Sequence, residues 1–294
     1  MTTRATAAAG QKLGAADKGE ELGAGWLGNH QVDAFTGRPF AGNPAGICPL
    51  DTWLPDRVMQ AVAAENAVAE TAFFVRRPDG DFDLRWFTPE VEVDLCGHAT
   101  LASAFFLFDR LEPDRRHVRF HTRSGPLEVE RDGAALVMDL PARPPTPAGD
   151  GALAALERAL GRRPIAALRA RDLLAVFESA ADVRALRPDM AAIAALDTFA
   201  VIASGPGTAP DDDVDFVSRF FAPAKGVAED PVTGSAHCTL VPYWAERLGR
   251  PALRARQVSR RGGELRCELR GERVRIAGQA VLVKTGAIFI GDGT

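Results

Sequence analysis

The sequence predicts an α+β protein of two pseudo-symmetric domains, each a β-barrel or half-barrel wrapped around one central apolar helix. Three observations carry this. The first is an internal repeat: Arg85-Trp86-Phe87-Thr88-Pro89, a short loop and Cys96-Gly97-His98-Ala99-Thr100 return as Arg219-Phe220-Phe221-Ala222-Pro223, a short loop and Thr233-Gly234-Ser235-Ala236-His237. Each glycine-opened run leaves through an acidic-Arg-Leu exit, at Asp109-Arg110-Leu111 and at Glu246-Arg247-Leu248, and a hairpin turning at Gly133 or Gly271 follows. A period this long means a duplicated domain rather than a stacked array. The second observation is that residues 101–108 leave almost no polar face, and a helix apolar all round is buried. The third is the alternation of hairpins such as 127–140, which supplies strands to wrap such a helix.

In chain order, residues 1–28 are mostly Ala, Gly, Thr and charged side chains, and are expected to form a disordered tail without the apolar stretch of a secretory signal. An N-terminal domain is expected over 29–140, opening on the alternating strand of His30-Gln31-Val32-Asp33-Ala34-Phe35 and including a strand at 71–75, the apolar helix and the hairpin. A C-terminal strand within 282–294 should complete it. Residues 141–149, rich in Pro, should link the halves. The C-terminal domain is expected over 150–281, with a strand at 198–203 and a Gly234-opened helix that Pro242 should kink. Asp211-Asp212-Asp213 reads as a solvated surface loop, and Asn43 between Gly42 and Pro44 as a tight-turn residue.

The 294-residue length accommodates two ordinary domains. A formal net charge of −4 argues against nucleic acid or an anionic membrane as partner, and no apolar stretch approaches spanning length. The cysteines Cys48, Cys96, Cys238 and Cys267 lack zinc-like spacing, and read as reduced thiols of a cytoplasmic protein. No metal is expected: His117 and His121, on one strand, would stand roughly 13 Å apart.

The chemistry-bearing stretch is Glu229-Asp230-Pro231-Val232-Thr233-Gly234-Ser235-Ala236-His237. A helix start exposes unpaired N–H groups and the positive end of the macrodipole, so a substrate carboxylate can dock there with Asp230 beside it. The copy at Gly97 gives a second such start, and a pseudo-symmetric pair can point both into one interdomain cleft.

These residues resemble the PhzF-like phenazine-biosynthesis isomerases, which share the fold of diaminopimelate epimerase. The resemblance runs from about residue 30 to the end. It rests on Val32-Asp33-Ala34-Phe35 with Gly42-Asn43-Pro44-Ala45-Gly46, on Ala69-Glu70-Thr71-Ala72-Phe73, on Cys96-Gly97-His98-Ala99-Thr100, and on the stretch from Glu229 to Ala236. It implies a cofactor-free enzyme that moves a proton between carbons of a small carboxylate-bearing substrate, and a homodimer. Glu70 would be the acid/base, His98 and Asp230 would assist, and Gly97, Gly234 and Ser235 would hold the substrate. In the epimerases two cysteines face each other as acid and base. Here the corresponding positions look like Glu70 and Asp230, which disfavours a two-thiol racemase. Two other readings stay open: a racemase, epimerase or dehydratase of amino or hydroxy acids using the same carboxylates, and a non-catalytic small-molecule binder.

Overall fold

The computed structural model describes residues 23–291. Its two halves repeat one strand-pairing pattern. In the N-terminal half, His30–Ala34 pairs antiparallel with Asn43–Leu50, which runs parallel to Glu70–Arg76. That strand pairs antiparallel with Phe82–Phe87, which runs parallel to His117–Thr122, and the antiparallel strands Gly125–Asp132 and Ala135–Pro141 follow. In the C-terminal half the same order is Ala166–Arg169, Leu173–Val176, Val201–Pro206, Phe216–Ala222, Ala252–Gln257, Gly263–Arg270 and Arg273–Gly278. The repeat reaches individual ion pairs. Arg85 grips Glu92 through two bonds of 2.7 Å, and Arg219 grips Glu229 through bonds of 2.8 and 2.9 Å.

Each set of strands encloses one helix, Gly97–Phe106 in the N-terminal half and Gly234–Leu248 in the C-terminal half. Leu101, Ala102 and Ala104 of the first, and Leu240 and Val241 of the second, are fully buried. Burying each such Leu or Val contributes about 1.5–3 kcal/mol, so the wrapped helix is the main apolar anchor of its half. The first helix passes into a π-helical turn, Leu107–Leu111, at the acidic-Arg-Leu exit. The halves are joined by pairing of Ala135–Pro141 with Arg273–Gly278. The chain then returns, and Ala280–Lys284 pairs with His30–Ala34 of the N-terminal half.

Several expectations are corrected. Trp26–Gly28, placed in the tail, is a strand paired with Ala287–Phe289: Leu27 is buried, and the Trp26 and Phe289 rings stand 5.3 Å apart. Residues 1–22 of the expected tail lie outside the described residues, as do 292–294. The strand expected at 198–203 runs Val201–Pro206. Thr198 lies ahead of it in a turn, where its hydroxyl accepts from Leu173 N and donates to Ala200 O. Pro242, expected to kink its helix, lies inside Gly234–Leu248. A proline four residues on leaves the Cys238 carbonyl without its helical donor, and the Arg143 N–H supplies one at 2.8 Å. That bond, with Ala142 N to Glu272 O and the short strand Thr146–Pro147, ties down the segment expected to link the halves. Asp211 is buried rather than solvated, because Arg184 grips it through two bonds and Arg256 through a third.

Candidate active site

The two glycine-opened helix starts meet where the halves join. A Cβ placed on Gly97 would lie 3.9 Å from the Gly234 Cα, and one placed on Gly234 would lie 3.6 Å from Phe35 Cζ. Both are ordinary contacts, so packing does not demand glycine here; its effect is to leave the helix ends uncovered by side chain.

Three donor groups converge on the first helix start. Glu70 opens the strand Glu70–Arg76, Cys96 immediately precedes the helix and His98 is its second residue. Cys96 Sγ lies 3.4 Å from His98 Nδ1, and His98 Nε2 lies 3.2 Å from Glu70 Oε2. The second approach is close but misaligned, so His98 Nε2 and Glu70 Oε2 are buried without a hydrogen-bond partner among the described residues, as is Asn43 Oδ1. Buried polar atoms are rarely left unpaired. Three around the same helix ends mark a place where a ligand's polar groups would be received.

Across the junction, Asp230 closes the strand Val227–Asp230. Its carboxylate accepts from Asn43 Nδ2 at 2.8 Å and from the Thr233 hydroxyl. Asn43 is thus no turn residue. It lies in the strand Asn43–Leu50 and also donates to Val232 O, stapling the halves together. Gln257 fixes the same corner by donating to the Asp230 carbonyl at 2.7 Å and accepting from Thr233 N at 2.9 Å.

This packing separates the two carboxyls. Burial raises Glu70 to about 8, helped by the negative charge of Asp230 and opposed by a hydrogen bond with Cys96. Burial raises Asp230 only to about 6, because Thr233 and Asn43 donate to its charged form. Burial pulls His98 down to about 3 and keeps Cys96 a thiol. At neutral pH the site therefore holds a protonated Glu70, an ionised Asp230 and an uncharged imidazole. Divergent carboxyl pairs of this kind are how one site runs acid and base chemistry.

Of the residues singled out from sequence, Glu70, His98, Gly97 and Gly234 gather here with Asp230. Ser235 lies one residue further into the second helix, where its hydroxyl is 3.3 Å from Arg171 Nη2. Sequence reasoning missed Cys96, Asn43, Gln257 and Arg171 as members of this region. Cys96 was legible as the residue before the helix glycine; the others act across 24 to 187 residues of sequence and leave no local signature. His237 is internal packing: its ring is buried, lies 2.8 Å from Thr233 O and neighbours Phe216.

Donor atoms of Glu70, Cys96 and His98 lie within 4.8 Å of one another, a spacing that could hold a metal ion, as do those of Asp79, Asp81 and His121. In the second group Arg77 pairs with Asp79 and Arg115 approaches Asp81, which reads as an ion-pair network. A cavity of about 910 Å³ is not at the Glu70 site. It lies on the far side of Phe35 among Arg184, Arg256, Arg261 and Glu264, most of which are already paired.

The chain is similar to known proteins over most of its length. The family model for PhzC-PhzF, described as phenazine biosynthesis-like protein, matches residues 32–286. A Pseudomonas aeruginosa protein named an uncharacterized isomerase is 54% identical over 260 residues, which is 88% of this chain and 97% of that protein. A crystal structure of a PhzF-family protein from Enterococcus faecalis superposes with a TM-score of 0.86 at 43% identity, covering 90% of this chain and 99% of the other. A hydroxyproline epimerase from Agrobacterium vitis superposes at 0.58 with 11% identity, covering 92% and 94% of the two chains, a likeness of fold alone. A match over most of the chain, by family pattern and by close relatives together, places the protein in the PhzC-PhzF, phenazine biosynthesis-like family.

Proposed function

We propose that this protein is a cofactor-independent isomerase that moves a proton between carbons of a small carboxylate-bearing substrate, with Glu70 as the general acid/base. The observation that carries the reading is the Glu70 carboxyl, raised to about 8 beside a neutral His98 and 15% exposed at its side chain. A carboxylate of that basicity, once ionised, is a much stronger base than an ordinary one, and the acid it becomes still gives its proton back near neutrality. His98 Nε2, buried and unpartnered, would meet a substrate oxygen or pass the proton. Gly97, Gly234 and Ser235 would hold the substrate on the helix ends, where backbone donors face accumulating negative charge.

The single-carboxyl form is supported by the site's asymmetry. In the strand registers Thr71 faces Phe87 as Val201 faces Phe221, so the repeat counterpart of Glu70 is Ala200. With the glycines aligned, the counterpart of Asp230 is Val93. The two carboxyls therefore do not form a repeat-related pair of opposed bases of the kind a two-base racemase would use. One carboxyl taking a proton from one carbon and returning it to another suits a shift along a conjugated skeleton.

The two halves would act as domains, 29–140 with the returning strand and 150–281, in a cytoplasmic homodimer. The test is proton exchange. In heavy water the wild type should place solvent deuterium at a substrate carbon, and Glu70→Gln should not. An enzyme that turns over with no solvent exchange at any carbon, or a Glu70→Gln variant that turns over at the wild-type rate, overturns the reading.

A further inference from the structure

Beside Ser235, away from Glu70, lies a group of charges that the proton transfer does not use. Arg171, in the turn between Ala166–Arg169 and Leu173–Val176, has one edge of its guanidinium fixed by Asp172: Nε donates to Oδ1 at 3.0 Å and Nη2 to Oδ2 at 2.9 Å. Asp172 is completely buried. The plane of Arg171 lies over the Phe199 ring at 4.4 Å, and Lys225 Nζ stands 5.4 Å from the same ring. Nη2 also reaches Ser235 Oγ at 3.3 Å, while Nη1 has no partner among the described residues. A second guanidinium stands near: Arg143 Nη1 is buried with no hydrogen-bond partner among the described residues, and both arginines act on the Cys238 thiol, one turn beyond Ser235 on the same helix.

A buried carboxylate that clamps one edge of an arginine against an aromatic face holds the other edge in a fixed plane. An arginine so held is preorganised to take a planar oxyanion through two parallel bonds. Here that edge carries an idle Nη1, adjoins a hydroxyl at the positive end of a 15-residue helix, and has the cations Lys225 and Arg143 nearby, while Asp172 is engaged by Arg171 itself. We propose that Arg171, with Ser235, forms the subsite for the carboxylate of the substrate, and that this subsite rather than Glu70 sets which molecules the site accepts. It rests on the isomerase reading only for the word substrate; the subsite itself is a claim about carboxylate binding.

The probes are benzoate and its neutral isostere benzamide, titrated by chemical-shift changes into the full chain. Wild type should bind benzoate at least about tenfold more tightly than benzamide, the scale of a hydrogen bond to a charged group. Arg171→Gln should bring the two within about twofold of each other. Because that variant strands a buried Asp172 charge and could unfold, Arg171→Gln/Asp172→Asn, which removes both charges, should give the same loss in a folded protein. Arg171→Lys should recover only part of the preference, since an ammonium cannot make the paired bonds. Glu70→Gln should keep the preference in full. An equal preference in wild type and the double variant, including no binding by either, overturns the subsite. A preference lost with Arg171 in a protein that never exchanges solvent deuterium leaves the subsite standing and removes the isomerase reading. Deuterium exchange with a preference untouched by the Arg171 variants does the reverse.

Discussion

The two halves share a strand order, an Arg–Glu clamp and a glycine-opened buried helix, yet they do not share chemistry. The N-terminal half places a carboxyl where the C-terminal half has Ala200, and the C-terminal half places one where the N-terminal half has Val93. The residues ahead of the glycines differ too: Cys96 faces His98 Nδ1, whereas Thr233 donates to Asp230. The strand order and the buried helices are duplicated because packing demands them in both halves. The reactive groups are single because each has its own environment, Glu70 with the Cys96 thiol as its partner and Asp230 with an amide and a hydroxyl donor. A protonated Glu70 opposite an ionised Asp230 follows from that difference, since both are buried and only Asp230 has donors in both halves, Asn43 and Thr233.

The largest effect should come from removing the unsupported carboxyl. Glu70→Gln should lower turnover by at least about two orders of magnitude, the scale of a lost general base, with ligand affinity nearly kept because the amide is almost isosteric. Rate measurements on purified variant and wild type decide it. Turnover within about threefold of wild type would mean that the asymmetry carries no catalytic meaning.

Stability should move the opposite way. The Glu70 carboxyl rises from 4.5 unfolded to about 8 folded. Its stabilising contribution is therefore complete below pH 4.5 and is lost as pH rises through 8, where an ionised carboxylate must be buried. Glu70→Gln escapes that penalty. The variant should match wild type near pH 4.5 and exceed it by on the order of a few kcal/mol at pH 9. Denaturant melts at the two pH values would show the gap opening with pH. A gap that stays constant would place the shift elsewhere.

A change on the supported side should act through charge. Asp230→Asn removes the negative charge that raises Glu70, so the rising limb of the kcat/KM profile, along which Glu70 loses its proton, should move from about 8 toward lower pH, with a fall in rate smaller than that of Glu70→Gln. Removing a donor from the same corner, Asn43→Ala, leaves a buried carboxylate short of one hydrogen bond. It should cost about 1–3 kcal/mol in an unfolding titration, and Asp230 should titrate at higher pH. An inflection unmoved in Asp230→Asn would show that the two carboxyls do not sense each other.

The smallest effect should come from a difference between the buried helices that is scaffold alone. Pro242→Ala restores a helical N–H to compete for the Cys238 carbonyl now held by Arg143. The stability change should stay within about 1 kcal/mol. A larger loss, measured by thermal unfolding, would mean that the Arg143 tie helps to hold the halves together.

By itself the sequence determined the duplicated α+β scaffold, the buried helices and the two glycine-opened starts. These rest on periodicity and on residues 12 to 15 positions apart, such as Arg85 before Gly97 and Arg219 before Gly234, and such relations survive in a one-dimensional string. It also marked Glu70, His98 and Asp230, each standing in a motif. Only the tertiary structure decided what surrounds them. Asn43 read as a turn because its neighbours are Gly42 and Pro44; its partner Asp230 is 187 positions away. Asp211 read as solvated because Asp212 and Asp213 follow it, but it is buried by Arg184 and Arg256, brought from 27 and 45 positions away. The protonation states followed the same rule. A carboxyl's pKa depends on desolvation and on the donors around it, and both are properties of the assembled site rather than of any stretch of chain.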